Sequence, residues 1–270
     1  MNNRIKSARK PEHGLLVGMV HVRALPGTPF CKNILKETVD IACEEALVLK
    51  KHGFEAIIIE NMHDRPYLKG KVGPEITASM TTVGLRLRDA LGNDFPIGIQ
   101  ILAGANFEAM ACAIAADLDF IRAEGFVFAH VADEGLIESC AGDLLRERRR
   151  LNAEHIEVWT DIQKKHSAHS ITSDLSLDDW AHGADFFGAD CLIITGSRTG
   201  QPADEGELVQ IKKTVHLPVA IGSGISPENA SGYSLADAFI VGSSIKKDGK
   251  WENEIDENAV QKVVRAIIKR

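Results

Sequence analysis

Residues 218–224 have the sequence PVAIGSG, and residues 238–244 have the sequence AFIVGSS. Each stretch is a short apolar run that ends in a glycine followed by a serine. Apolar runs of this length are typical of parallel strands that are buried on both faces. The glycines and serines place main-chain N–H groups and hydroxyls at the strand ends, where they can donate hydrogen bonds to an anion. We therefore interpret the two stretches as neighbouring strands of an α/β fold.

Similar runs recur along the whole chain, and segments with helical periodicity separate them. The predicted strands are 15–21, 56–60, 97–101, 120–124, 156–161, 191–195, 218–222 and 238–242, and the helix candidates include 34–51, 76–91, 205–214 and 259–269. Eight strands, each followed by a helix, are the pattern of a (β/α)8 barrel. The main alternative is an open doubly wound sheet, which usually carries a Gly-x-Gly-x-x-Gly turn after its first strand. The segment after Val20 contains no such turn.

The sequence predicts a single domain, a (β/α)8 TIM barrel of the ribulose-phosphate-binding type, over residues 15–270. Residues 1–14 are predicted to form an N-terminal extension. No low-complexity linker and no shift in composition divides the chain. The longest irregular segments, 23–29, 62–73 and 130–142, each follow a predicted strand. Loops at this end of a barrel carry the chemistry, so we expect residues 129–142 to act as a lid, with a tolerated surface insertion as the alternative.

Composition and charge exclude several classes of protein. Apolar residues make up 44% of the 270, and 31 basic against 38 acidic residues give a net charge of -7. This acidic balance disfavours a nucleic-acid-binding surface. The apolar segment 96–121 carries several acidic and amide side chains, so we expect no membrane insertion. Five scattered cysteines and an N-terminus without an apolar signal core predict a cytoplasmic protein.

The last two strands of a (β/α)8 barrel frequently hold a phosphate group. Two glycine–serine corners on consecutive strands at this place predict such a site, although glycines could also serve only to permit tight turns. A helix beginning after either corner would add its partial positive charge. We call the predicted phosphate-binding residues the cradle. They are Gly222, Ser223, Gly224, Gly242, Ser243 and Ser244, together with Thr195 and Gly196 at the end of the sixth strand.

Polar side chains also lie at the carboxyl ends of the other predicted strands. Because buried ionisable groups are costly unless they are paired or used, a convergent set of them indicates a site. For single members a structural role is the alternative, and Arg122 with Glu124 could be only an ion pair. Lys165, after the fifth strand, could bind phosphate or form a Schiff base. The candidate catalytic residues are His21, Glu60, Gln100, Arg122, Glu124, Asp161 and Lys165.

The acidic members allow two kinds of chemistry. Glu60 and Asp161, followed by Glu124, could act as general acids or bases. The same three carboxylates could instead hold a divalent cation, and oxygen ligands beside a phosphate suit Mg²⁺ better than zinc. The histidine spacing does not indicate zinc. The sequence therefore leaves Mg²⁺ as a possible cofactor and requires none.

The chain resembles the BtpA family, which also contains the SgcQ proteins and is regarded as a set of phosphate-binding (β/α)8 barrels. The resemblance is carried by ordered motifs along nearly the whole chain. They include Gly18-Met19-Val20-His21, Ile59-Glu60-Asn61, Phe120-Ile121-Arg122-Ala123-Glu124, Gly222-Ser223-Gly224-Ile225 and Gly242-Ser243-Ser244. Family members often have Thr in the last turn, where this chain keeps hydroxyls as Ser243 and Ser244. The resemblance implies the fold and an anion site, and no established reaction.

Two functions follow as hypotheses. The first is an enzyme that acts on a small phosphorylated metabolite, a sugar phosphate or nucleotide-like compound; isomerase, lyase, hydrolase and glycosyl transferase chemistry all remain open. The second is a non-catalytic assembly factor, because the family is named for a photosynthetic member implicated in photosystem I biogenesis. The expected partner is a small phosphorylated ligand and not a nucleic acid, and a homo-oligomer remains open.

Overall fold

Eight parallel strands close into a barrel in the computed structural model, which describes residues 4–8, 13–164, 166–196 and 200–268. The barrel strands are β1 (Leu15–His21), β2 (Ala56–Glu60), β3 (Ile97–Gln100), β4 (Phe120–Ala123), β7 (Glu157–Asp161), β9 (Cys191–Ile194), β10 (Val219–Ile221) and β11 (Ala238–Val241). A separate small sheet contains β5 (His130–Ala132), β6 (Gly135–Ile137) and β8 (Ser167–Ala168). The predicted (β/α)8 fold is confirmed.

Helices cover the outside of the barrel. They are α2 (Leu35–Lys51), α3 (Pro74–Leu91), α4 (Asn106–Ala115), α5 (Ala141–Arg150), α6 (Leu177–Phe186), α7 (Glu205–Thr214) and α8 (Glu257–Ile268), with α1 (Arg4–Ala8) before the first strand. Three of the four helix candidates begin one or two residues away from the predicted position, and α7 has the predicted bounds. Among the helices that the structure describes, none is long and apolar enough to cross a membrane.

Alternation along the strands separates two apolar layers. In β1, Leu15, Val17 and Met19 face the lumen, whereas Leu16 and Val20 pack against the helices. The lumen is filled at its centre by Trp159, whose ring stacks on Phe120 with centroids 4.3 Å apart. The indole N–H of Trp159 is satisfied by Glu157 Oε2 at 2.8 Å. Below the mouth the barrel is therefore a packed core and not a channel.

The short helix α1 closes the N-terminal end of the barrel. Ile5 is completely buried and belongs to the same apolar cluster as the lumen residues of β1. Arg4 Nη1 contacts Asp119 Oδ1 at 3.0 Å, and Arg88 Nη2 holds the other oxygen of this carboxylate at 2.8 Å. Part of the predicted N-terminal extension thus packs against the apolar residues that fill the barrel lumen.

The connections after the last two strands differ from the expected β–α pattern. Short 3-10 helices, Ala230–Tyr233 and Ser243–Ile245, follow β10 and β11 where α-helices were expected, and only α8 later packs on this side. The segment after β10 contains Pro227 and Gly232, which disfavour a regular α-helix there. Neither cradle corner is therefore followed directly by an α-helix whose N-terminus could add its partial positive charge.

The small sheet forms within a segment that showed no periodicity. The hairpin of β5 and β6 pairs through β5 with β8, so residues after β4 and after β7 are tied together above the barrel. Each strand is only two or three residues long. Such short strands carry too few residues for a detectable alternation, so they could not be predicted from the sequence.

Replacing Ile5 with alanine tests the closure by α1. We expect Ile5→Ala to lower the free energy of unfolding by about 2–5 kcal/mol, because a buried aliphatic side chain is removed from a packed site. Ile171 is 55% exposed, so Ile171→Ala is the matched control and is expected to change stability by less than about 0.5 kcal/mol. Equal effects in chemical denaturation would show that α1 does not close the core.

Candidate active site

A cavity of about 250 Å³ opens at the carboxyl ends of the barrel strands. Its lining brings together most of the predicted catalytic residues and most of the cradle. The predicted residues that line it are His21, Glu60, Gln100, Arg122, Glu124, Asp161, Gly222, Ser223, Gly224, Gly242 and Ser243. Ser244, Thr195 and Gly196 do not line it, and Lys165 lies outside the described residues.

Arg122 and Asp161 form a buried two-point ion pair across β4 and β7. Arg122 Nε donates to Asp161 Oδ2 at 2.7 Å, and Nη2 donates to Oδ1 at 2.6 Å. Burial alone would lower the pKa of Arg122, but attraction to Asp161 outweighs it, and the pKa is raised. The guanidinium is therefore a permanent positive charge in the mouth. The alternative pairing of Arg122 with Glu124 is wrong, because both Asp161 oxygens face the guanidinium instead.

Glu124 is held by two other side chains. Gln100 Nε2 donates to Glu124 Oε1 at 2.9 Å, and Lys164 Nζ donates to Oε2 at 2.9 Å. Burial works to lower the pKa of Lys164, but Glu124 raises it more, so the ammonium stays protonated at neutral pH. Lys164 is a cavity residue that the sequence reasoning missed in favour of its neighbour. A protonated amine is not a nucleophile, and a raised pKa makes it a weak acid, so Lys164 is suited to stabilising negative charge.

His21 and Glu60 lie side by side at the ends of β1 and β2. Their strands pair in register, and His21 Nε2 is 3.8 Å from Glu60 Oε2. Each residue is only 7% exposed, and both line the cavity. An imidazole beside a carboxylate is an arrangement that can take up and release a proton.

The cradle glycines lie close to the charged residues. A Cβ atom on Gly222 would be 2.4 Å from Ile193 Cγ2 and 3.3 Å from Arg122 Nη2. A Cβ atom on Gly242 would be 3.3 Å from His21 Cε1. Only glycine fits at Gly222 without displacing its neighbours. The two corners and the polar residues therefore share one cavity.

The hydroxyls of the cradle differ in what they contact. Ser223 Oγ accepts from Gly196 N–H at 3.0 Å and donates to Gln201 O at 3.3 Å, so it joins two loops and is not a spare donor. Thr195 Oγ1 and Ser244 Oγ are buried without a hydrogen-bond partner in the described part of the chain. Ser243 also lines the cavity, and its hydroxyl makes neither of the loop contacts that the Ser223 hydroxyl makes.

The three carboxylates proposed for Mg²⁺ do not form a cation site. Across the described segments, no group of three or more His, Cys, Asp or Glu side chains is arranged to hold a metal ion. Asp161 is turned to Arg122, and Glu124 is turned to Gln100 and Lys164. The residues present therefore do not fit Mg²⁺ in this arrangement, and we derive no step through a metal.

The hairpin reaches over the mouth, as the lid expectation for residues 129–142 requires. Asp133 and Glu134, at the turn between β5 and β6, line the cavity. Tyr67, from the loop after β2, lines it from another side and donates its hydroxyl to Met62 O at 2.7 Å. Both loops were expected to lie at the mouth, but no motif or periodicity identified which of their residues would line the cavity. Their position becomes visible only when the loops are folded.

Breaking the buried ion pair tests whether it organises the mouth. We expect Arg122→Met to lower the free energy of unfolding by about 3 kcal/mol, because Asp161 is left buried without its partner. The double variant Arg122→Met with Asp161→Leu is expected to recover most of that loss. Arg150, on the exposed face of α5, provides the control, and Arg150→Met is expected to change stability little. A small loss in Arg122→Met would show that the pair is dispensable for the fold.

We expect the free energy of unfolding to depend on pH because of His130, at the base of the hairpin. Burial, with Lys164 and His169 nearby, lowers its pKa to about 4, whereas an unfolded histidine titrates near 6.5. The unfolded chain therefore binds more protons between these values, and the free energy of unfolding falls as the pH falls from about 6.5 to about 4. His63, whose pKa is also about 4, adds to this fall.

The slope of stability against pH measures this contribution. We expect His130→Gln to show a shallower slope than the parent between pH 6.5 and 4 in denaturant titrations. The exposed His216→Gln is the control and is expected to follow the parent curve. Identical slopes in the parent and His130→Gln would contradict the assignment.

Comparison with known proteins agrees with this fold. Orotidine 5'-monophosphate decarboxylase from Methanocaldococcus jannaschii, solved with an inhibitor, superposes with a TM-score of 0.59, covering 95% of this chain and 99% of that one. The two sequences are only 14% identical, so this likeness concerns the fold alone.

Sequence relatives extend over almost the whole chain. An uncharacterized mitochondrial protein of Caenorhabditis elegans is 48% identical, over 94% of this chain and 92% of that protein. The photosystem I biogenesis protein BtpA of Synechocystis is 31% identical, over 94% of this chain and 88% of that protein. The sequence model of the BtpA family matches residues 12–269. The chain therefore belongs to the BtpA family.

Proposed function

We propose that the protein is an enzyme that binds a small phosphorylated metabolite and carries out proton transfer on it. The observation that carries this proposal is the closeness of the two cradle corners to the charged residues of the same cavity. Gly222 borders Arg122, and Gly242 borders His21, so an anion bound at the corners has its other end among the acid–base groups. In (β/α)8 barrels the corners after the last two strands frequently bind phosphate.

The phosphate would be held by main-chain N–H groups of the two corners and by the Ser243 hydroxyl, but not by the N–H of Gly222, which donates to Ile194 O at 2.7 Å. Gly224 has a φ of +69°, a conformation that glycine adopts without strain. Arg122 adds a fixed positive charge beside the Gly222 corner. Asp161 keeps that guanidinium in place through two hydrogen bonds. In this proposal Asp161 positions Arg122, a more specific role than the acid–base function suggested by the sequence.

The other end of the ligand would meet the proton-transfer groups. His21 and Glu60 form the pair that can remove a proton, and protonated Lys164 can stabilise a developing oxyanion. Gln100 contributes a buried acceptor, because its Oε1 has no hydrogen-bond partner among the described residues. A hydroxyl of the ligand would satisfy this oxygen. A hydroxylated phosphate ester, such as a sugar phosphate, therefore fits the donors and acceptors.

The size of the cavity limits the ligand. A volume of about 250 Å³ lies just below the usual range of about 300–1,000 Å³ for ligand pockets, which favours a compact metabolite. The groups present support chemistry driven by proton transfer, as in isomerases and lyases, and hydrolase or glycosyl transferase activity remains open. Localisation in the cytoplasm stays a prediction, since one relative is a mitochondrial protein.

A ligand panel tests the phosphate site. Ribose 5-phosphate, glucose 6-phosphate and a nucleoside 5'-monophosphate are compared with the same compounds lacking phosphate, in thermal unfolding of the full chain. Binding at a hundredfold excess over Kd stabilises the folded state by about 2.7 kcal/mol, which raises Tm by several degrees. We expect at least one phosphorylated compound to do so and its unphosphorylated counterpart to have no effect.

A matched pair of variants assigns this effect to the cradle. Ser243→Asp places a carboxylate in the cradle and is expected to abolish the stabilisation. Ser231→Asp makes the same charge change at an exposed position and is expected to retain it. If no phosphorylated compound stabilises the parent, or if both variants respond as the parent does, the proposed phosphate site is wrong.

The second candidate function is that of an assembly factor, which the Synechocystis relative's name suggests. An assembly factor would need the folded barrel but not the side chains proposed for proton transfer. Glu60→Gln keeps the shape of the side chain and removes its charge. A folded Glu60→Gln protein that restores the function of a deletion strain as well as the parent would favour assembly over catalysis.

A further inference from the structure

A second cavity, of about 390 Å³, lies beside the mouth on the segments that follow β1 and β2. It is lined by Arg23, Ala24, Phe30, Lys32, Asn33, His63 and Arg65. These include three fully charged cations and no carboxylate. Because the whole chain has a net charge of -7, this concentration of positive charge is a local feature and does not reflect the general surface.

The two arginines are held in place by uncharged groups. Arg23 Nη1 donates to the main-chain oxygen of Glu252 at 2.8 Å. The guanidinium of Arg65 lies over the ring of Trp251, 5.2 Å from its centroid. In the described part of the chain, no carboxylate forms an ion pair with Arg23, Lys32 or Arg65. Both guanidiniums are thus oriented without a direct ion pair, although Glu254 lies close enough to Arg23 for the two charges to attract each other.

His63 lies next to these cations within the cavity. Its Nε2 is 3.5 Å from Arg23 Nη1, and its ring centroid is 4.9 Å from that of Trp251. Burial, followed by repulsion from Arg23, Lys246 and Arg65, lowers the pKa of His63 to about 4. An anion in the cavity would offset this repulsion and raise the pKa again. His63 is therefore a built-in reporter of anion binding.

Trp251 contacts residues of both cavities without lining either of them. Its ring centroid is 5.9 Å from that of His21, which lines the mouth, and the same indole contacts His63 and Arg65 on the other side. None of the residues that line the second cavity lines the mouth. The two volumes are therefore distinct neighbours.

We propose that Arg23, Lys32 and Arg65 form a second anion site, which binds a diphosphate group. Guanidinium groups match phosphate oxygens with two parallel hydrogen bonds, and three cations suit an anion that carries several charges. Asn33 supplies a further polar side chain to the lining. The second anion site requires neither the cradle nor any catalytic role of the mouth.

NMR titration of the full chain with inorganic diphosphate tests the second anion site. We expect the pKa of the His63 imidazole to rise on addition of diphosphate, with signals assigned through His63→Gln. Arg65→Gln, at an exposed position, is expected to weaken diphosphate binding about tenfold or more, as expected for loss of charged hydrogen bonds. Arg86→Gln removes the same charge from the exposed face of α3 and is expected to bind within about twofold of the parent.

Three results would overturn the proposal. They are a His63 signal that does not respond, equal losses in Arg65→Gln and Arg86→Gln, and loss of the response in Ser243→Asp. The last would mean that the anion binds at the cradle alone. Conversely, a His63 response that persists in Ser243→Asp supports the second anion site, even if ribose 5-phosphate fails to bind the mouth. The two proposals can thus fail independently.

Discussion

Close packing at Gly222 and Gly242 is the constraint on which the mouth depends. At Gly222 a Cβ atom would collide with Ile193 and crowd Arg122, and at Gly242 it would press on His21. The absence of side chains lets the main chain of each corner pack closely against side chains from other strands. A larger residue at either corner would move the proposed anion site away from the proposed acid–base groups. The glycines therefore do more than permit tight turns.

The charges in the mouth are arranged in pairs, which explains how so many ionisable groups share a small cavity. Asp161 balances Arg122, and Glu124 balances Lys164. Each pair spans loops or strands that are distant in sequence, so charge pairing also fixes the relative positions of β4, β7 and the loop after β7. A buried charge without such a partner would be costly. In both pairs the carboxylate is therefore directed at a cationic side chain of the protein itself.

The fold could be predicted from the sequence because the strands are apolar on both faces and their runs have clear ends. The positions of His21, Glu60, Gln100 and Arg122 followed from the same logic, since residues at strand ends meet at the barrel mouth. The ion-pair partner of each charged residue could not be predicted this way. Arg122 and Glu124 share strand parity, yet the guanidinium reaches across to Asp161. Which carboxylate it meets depends on the stagger between strands, which a single run of residues does not encode.

The sequence also did not predict which loop residues line the mouth. Lys164, Tyr67 and the acidic tip of the hairpin lie in segments without periodicity, and only tertiary contacts bring them to the mouth. Lys164 illustrates this, because spacing along a loop does not determine which side chain reaches the cavity. The roles of the two serine corners differ for a similar reason. Ser223 is used to join loops, and this depends on Gly196 and Gln201 from a neighbouring connection.

A crystal structure of the protein grown with ribose 5-phosphate would show directly whether a phosphate binds at the two corners. We expect density for the phosphate between the Gly222–Gly224 and Gly242–Ser243 corners, with the sugar extending toward His21, Glu60 and Lys164. A phosphate bound outside this cavity, or corners filled by side chains in the crystal, would contradict it.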